Sequence, residues 1–251
     1  MPNAVIDSLM AHRSIRKFKP QPVEPEVVET ILRAGIRGAT SGNFQQYALL
    51  VVDDTEKKKA LGLEHAPLVI IALVDHYRIS RRLAINEAAP AHLAPSSNLF
   101  TGFWDAIIAL QNIVVAAESI GLGTCYIGRI LQVNIQELFH TPEYVFPAGM
   151  VIIGYPDESP ALRMRLPLAA VVHRNDYQIP ADEEIREWYK ERDEVWNTMS
   201  EEQKEPLRKQ GIHSIAQVVA AQKYSAQFTG ERSKGIVENL RRAKFVLTEE
   251  E

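Results

Sequence analysis

The sequence predicts an α/β or α+β domain with a charged helical tail, and three observations predict it. Two short, β-branched apolar runs, Tyr47–Val52 and Leu68–Val74, stand between helix-like patterns. A long apolar segment, Phe103–Ile120, follows them and is itself followed by further strand-like runs. Beyond Pro180 the chain becomes charged and amphipathic.

In chain order, Ala4–Ala11 has a short helical pattern, and Val27–Arg37 a second one, started by Pro25 and stopped around Gly35–Gly38. Tyr47–Val52 and Leu68–Val74 are bounded by polar or Pro-containing segments and read as central strands covered on both faces. Phe103–Ile120 is apolar nearly all round, which predicts a buried helix, and Gly121-Leu122-Gly123 marks its end. Thr124–Ile127 and Met150–Gly154 read as strands, with a short helix at Asn134–His140 between them and a last strand at Ala169–His173. The tail reads as a helix over Asp182–Met199, a polar stretch, and a helical pattern over Ser214–Phe245.

A length of 251 residues permits one large domain or two small ones, able to bury a core without covalent staples. The single cysteine, Cys125, cannot form an internal bridge, so the chain does not read as a disulfide-stabilised secreted protein, and a buried inert thiol is the expectation. No basic region followed by an apolar stretch opens the sequence, and the longest apolar run, Ala66–Val74, is far short of a membrane span. We therefore expect a soluble, cytoplasmic protein. A net charge of −4 gives no sign of nucleic-acid binding, although residues 201–245 hold nine Lys or Arg against five Glu. That run reads mainly as a solvated helical face, with Arg208 and Lys209 the neighbours able to meet a phosphate together.

Two basic elements have the equipment of an anion site. His12-Arg13-Ser14-Ile15-Arg16-Lys17-Phe18 combines cationic donors with a hydroxyl, and Arg163-Met164-Arg165 would place two guanidiniums on one side of an extended segment. Taken singly, each is a solvated basic face. Seven histidines show no pair at three- or four-residue spacing and no cysteine partner, which argues against a zinc site, and neither a P-loop nor a Gly-x-Gly-x-x-Gly fingerprint occurs. Trp104 and Trp188 read as packing residues.

Four separated motifs change the balance. His12-Arg13-Ser14-Ile15-Arg16, Thr40-Ser41-Gly42-Asn43-Phe44-Gln45, the stretch from Ala116-Ala117-Glu118-Ser119-Ile120-Gly121-Leu122-Gly123 to Tyr126-Ile127-Gly128, and Pro160-Ala161-Leu162-Arg163-Met164-Arg165-Leu166-Pro167 together resemble the FMN-dependent nitroreductase and flavin reductase family. Their order and spacing are similar to the longer, NADPH-preferring branch, over roughly residues 4–180. The resemblance implies an α+β fold, a three-layer α-β-α sandwich with a mixed, largely antiparallel sheet, assembled as an intimate homodimer. It divides the chain into an FMN-binding domain, 1–180, and a helical extension, 181–251, packing on the dimer.

By the same resemblance, His12, Arg13 and Ser14 serve the FMN phosphate and ribityl chain, and Arg16 the pyrimidine edge of the ring. Ser41, Asn43 and Gln45 bring donors to the heterocycle, Ile127 and Gly128 line its face, and Arg163 and Arg165 close the site. The chain departs from the family at Arg129, where the longer branch has a second glycine. The implied activity is hydride transfer from NADPH or NADH, by a ping-pong route, to a small planar acceptor such as a nitroaromatic, a quinone or free flavin. No side chain is assigned as a catalytic acid or base, and no metal is implied. A flavin carrier or redox sensor, and a specialised enzyme of dehalogenase type on the same scaffold, are the alternatives.

Overall fold

The computed structural model describes residues 3–88 and 96–245. His92 lies outside the described residues. The chain forms two compact units, one of residues 1–162 with 234–251, the other of residues 163–233.

The first unit is built on a four-stranded sheet of β1 (Tyr47–Val52), β2 (Leu68–Asp75), β3 (Gly123–Tyr126) and β4 (Val145–Gly154), in the order β1-β2-β4-β3. All three pairings are antiparallel, and the parallel component among the described residues is a single bridge, Ser14 to Thr124, beside β3. Every residue of β2 and β4 is buried, as their unbroken apolar runs require. β1 differs from the expectation. It lies at the end of the strand order and is only partly buried, so its apolar run marks an edge strand rather than a central one.

β4 begins five residues earlier than its sequence suggests, because Pro147 argues against a central strand. A bulge resolves the conflict. The register passes from Ala72–Gly149 to Leu73–Pro147, leaving Ala148 extra at the place where proline has no N–H to give.

Helices cover both faces of this sheet. α1 (Ala4–Met10) is capped by Asn3, whose side chain accepts from the N–H of Val5 at 3.0 Å. α2 (Pro25–Gly35) starts on its proline and carries a Glu29–Arg33 pair at 2.5 Å. α2 packs against α5 (Ser96–Ser119), and a built Cβ on Gly35 would stand 2.5 Å from Ile113 Cγ1, so this glycine sets how closely the helices approach. These two helices, with Leu240, Ala243 and Phe245 near the chain's end, enclose one apolar core. Between β1 and β2 lies α3 (Thr55–Ala60), and after β2 comes α4 (Tyr77–Ile85). Leu61, Leu63, Ala66, Ile130 and Ile135, the last in α6 (Ile135–Phe139), form a second core on the opposite face.

α5 ends in a Schellman turn: Leu122 N–H reaches Ala117 C=O at 3.0 Å, Gly121 N–H reaches Glu118 C=O at 3.1 Å, and Gly121 takes φ +88°. In length and mean hydropathy, 1.6, this helix could cross a membrane, yet one face of it lines the core. It is not buried all round as its composition suggests. Phe100, Trp104 and Ile108 share an exposed face, with Trp104 61% exposed, so this tryptophan does not pack within the chain.

The second unit contains α7 (Asp182–Thr198), α8 (Glu201–Arg208), α9 (Ile215–Lys223) and the start of α10 (Ala226–Arg242). The segment expected to be a strand, Ala169–His173, instead begins inside a 3-10 turn at Leu168–Ala170, and Val171 and Val172 are exposed with no strand partner among the described residues. The polar stretch after α7 is helical as α8: Ser200 and Gln203 form a capping box, with bonds of 3.3 and 3.0 Å, although Pro206 inside the run argues against a helix. The last helical pattern is two helices, divided where Ser225 caps α10 through Phe228 N–H.

Candidate functional site

The basic motif is an extended segment laid beside the sheet. Ile15 N–H donates to Thr124 C=O at 2.8 Å, and Lys19 N–H to Tyr155 C=O at 2.9 Å, so residues 14–19 run from the start of β3 to the end of β4. Gly123 makes this possible, since a Cβ there would meet Ile15 Cβ at 2.7 Å.

Within the motif the side chains divide. His12 Nδ1 lies 2.8 Å from Glu118 Oε1 of α5, and Thr124 Oγ1 donates to the same oxygen at 2.5 Å. The ring is held by one nitrogen, and Nε2 forms no bond among the described residues. Arg13 donates to Pro160 C=O at 3.1 Å. The Ser14 hydroxyl and the Arg16 guanidinium form no hydrogen bond among the described residues. The backbone N–H groups of Arg16 and Lys17 both donate to Glu158, at 2.6 and 3.0 Å, and these bonds hold its carboxyl below the usual carboxylate range.

The Ser41–Gln45 segment is a tight turn. Gly42, Asn43 and Gln45 have φ of 55°, 56° and 53°, and Gln45 Nε2 lies 3.5 Å from Asn43 Oδ1. Asp105 of α5 accepts the N–H of Ser41 at 2.8 Å and that of Gln46 at 3.1 Å.

Ile127 and Gly128 follow β3, with Ile127 N–H bonded to Met150 C=O at 2.8 Å. A Cβ on Gly128 would meet nothing within 4 Å, so the space beside it is open. The next residue, Arg129, is exposed, and its guanidinium approaches Gly62, 3.1 Å from where a Cβ would stand. Tyr126 donates its hydroxyl to Gln111 of α5 at 3.2 Å, and burial, with the Glu118 charge adding to it, pushes its phenol up to about 12.

Three of the four sequence motifs are thus anchored on one helix, in order: the turn at Asp105, the end of β3 at Gln111 and the basic motif at Glu118. Asp105 and Glu118 are thirteen residues apart, about 20 Å along a helix. Of the fourth motif, residues 163–167 belong to the second unit. There Arg163, Arg165 and Arg192 line a cleft of about 600 Å³, and Arg165 donates to the carbonyls of Arg163 and Met164. Arg208 and Lys209 each pair with an exposed carboxylate of α8, Glu201 at 2.6 Å and Glu205 at 2.9 Å.

A cleft of about 1240 Å³ is lined by α1, the later half of α5 and Glu158, and takes in Arg13 alone of the candidates. The anchored motifs gather donors that lack partners among the described residues, whereas this cleft is mostly apolar. Sequence reasoning assigned no role to Asp105, Glu118, Thr124 or Glu158. Asp105 had a signal: it is the one acidic residue in the apolar stretch Phe103–Ala117, and a charge at such a place needs a partner.

The chain is similar to known proteins in sequence and fold. A profile of the nitroreductase family matches residues 9–155. The chain is 34% identical over 202 residues to a Cr(VI) reductase of Pseudomonas sp. (strain G-1), covering 76% of this chain and 83% of that protein. It is 30% identical over 221 residues to an FMN reductase (NADPH) of Bacillus subtilis (strain 168), covering 78% and 89%. The NfrA2 structure of B. megaterium aligns with a TM-score of 0.83 and 32% identity, covering 99% of this chain and all of that one. The chain belongs to the nitroreductase family.

Proposed function

We propose that this protein is an FMN-dependent oxidoreductase that takes a hydride from NAD(P)H, with NADPH favoured, and reduces flat, electron-poor acceptors such as nitroaromatics, quinones or free flavin. The observation that carries the reading is the row of anchored motifs along α5, with donors at both ends of it that are unpaired among the described residues. The names of the relatives, among them FMN reductase (NADPH) and NADPH-dependent oxidoreductase, support the same cofactor and donor.

The residues present suit FMN. The Ser14 hydroxyl and the Arg16 guanidinium have no acceptor among the described residues, as expected of groups that await an anion. In our reading His12, Arg13 and Ser14 hold the phosphate end, and Arg16 sits at the pyrimidine edge, where its charge favours the electron-rich state of the ring. Ser41, Asn43 and Gln45 supply donors to the heterocycle, while Ile127 and Gly128 leave room along its face. Arg163 and Arg165 are further anion ligands on the strength of their sequence alone. FMN, when bound, supplies the two-electron chemistry. The protein binds, orients and excludes, and no side chain moves a proton in this account. Donor and acceptor would use the same ring face in turn, which is a ping-pong cycle.

The exposed apolar face of α5, with Val5, Leu9 and Met10 of α1, supports a homodimer. We place the protein in the cytoplasm.

The test is an absorbance spectrum of the purified protein, followed by anaerobic mixing with NADPH. Yellow protein that releases FMN and bleaches rapidly is expected. A protein that cannot be loaded with FMN overturns the reading, and one that binds FMN but is not reduced by NADPH or NADH is a carrier rather than an enzyme.

A further inference from the structure

The Ser41–Gln46 turn holds three residues in the left-handed region, and only Gly42 adopts it freely; asparagine tolerates it and Gln45 resists it. Such a backbone persists where its surroundings over-determine it. Two side chains from outside the turn do so. Asp105, 2% exposed, takes Ser41 N–H on one carboxylate oxygen at 2.8 Å and Gln46 N–H on the other at 3.1 Å. Arg78 of α4 donates to the carbonyls of Gln45 and Tyr47, the latter at 3.1 Å, and lies 3.5 Å from Asp75. A buried carboxylate is costly unless its oxygens are paired, and both oxygens here are spent on this one turn.

We propose that Asp105 is a positioning residue that, with Arg78, sets the Ser41–Gln46 turn in its binding shape before the cofactor arrives. It touches no cofactor itself. The inference rests on reading this turn as a flavin contact. If the turn had to be ordered by the ligand, that cost would come out of affinity; a preset turn avoids it.

The experiment titrates FMN into apo wild type, Asp105→Asn and Arg78→Ala, well below each protein's melting temperature. Asp105→Asn keeps the shape but turns an amino group against one of the two N–H donors. We expect about a tenfold rise in Kd, and a shifted visible spectrum for the flavin that still binds. Arg78 is half exposed, so its alanine variant should fold and should bind FMN several-fold more weakly. A purely structural role would lower Tm and leave affinity and spectrum unchanged. Amide exchange on the apo wild type gives a reading that needs no variant: the Ser41 and Gln46 N–H groups should be protected before FMN is added. Wild-type affinity and spectrum in both variants, or free exchange of those two amides in the apo protein, overturns the proposal. Wild type that binds no FMN overturns the flavin reading instead. Should Asp105→Asn fail to fold, Arg78→Ala and the exchange measurement decide.

Discussion

Glu118 does two jobs with one carboxylate, accepting from Thr124 at 2.5 Å and holding His12 at 2.8 Å. Glu118→Gln can satisfy one of these partners and turns an amino group toward the other. If His12 serves the FMN phosphate, the variant should bind FMN about 1.5 kcal/mol more weakly, roughly a tenfold rise in Kd, and isothermal titration would measure it. Unchanged affinity would return His12 to a packing role.

His76 is a different kind of residue. It is 2% exposed, its Nε2 lies 3.0 Å from Asn98 C=O, and burial lowers its pKa, partly opposed by that bond and by Asp75 and Asp105. The folded state therefore takes up this proton less readily than the unfolded chain, in which histidine titrates near ~6.5. The stability tied to its neutral form is present above that pH, and it is lost as pH falls through it toward the lower folded value. Urea unfolding between pH 5 and 8 should show this slope in wild type and a flatter one in His76→Gln.

Among the elements, β3 and the basic motif are joined by the absence of a side chain. A Cβ on Gly123 would stand 2.7–2.9 Å from three atoms of Ile15, itself 5% exposed and unable to move aside. Gly123→Ala should cost about 1–3 kcal/mol of stability by overpacking. It should also weaken FMN binding, because the displaced segment carries Ser14 and Arg16. Gly230 makes the contrast. It is an exposed glycine in α10 with open space where its Cβ would be, so Gly230→Ala should raise stability by about 0.5–1 kcal/mol and leave FMN binding alone. Thermal melts of the two variants would check both signs.

At the scale of the whole molecule, the exposed row Phe100, Trp104 and Ile108 lies on the helix that anchors the proposed site. A soluble chain rarely leaves such a face in water. Trp104→Glu should convert the proposed dimer to monomer by sedimentation equilibrium and reduce FMN retention, if the site needs the assembled protein. A wild-type monomer would remove this account of the exposed face.

The sequence by itself determined the family, through four motifs that recur in order, and the strand β2, whose long β-branched apolar run suits a strand covered on both faces. It also determined the end of α5, where Gly121 is the residue that adopts φ +88° without strain. Only the tertiary structure decided that β1 is an edge strand and that β4 runs through Pro147, since strand order and a bulge depend on a partner strand distant in the chain. It alone decided that the 169–173 run makes no strand, because apolar, β-branched composition cannot supply a neighbour to pair with. The roles of Asp105 and Glu118 were beyond the sequence for the same reason. Each acts on a segment 59 to 106 residues away, and local pattern holds no record of which distant amide or imidazole a carboxylate will meet.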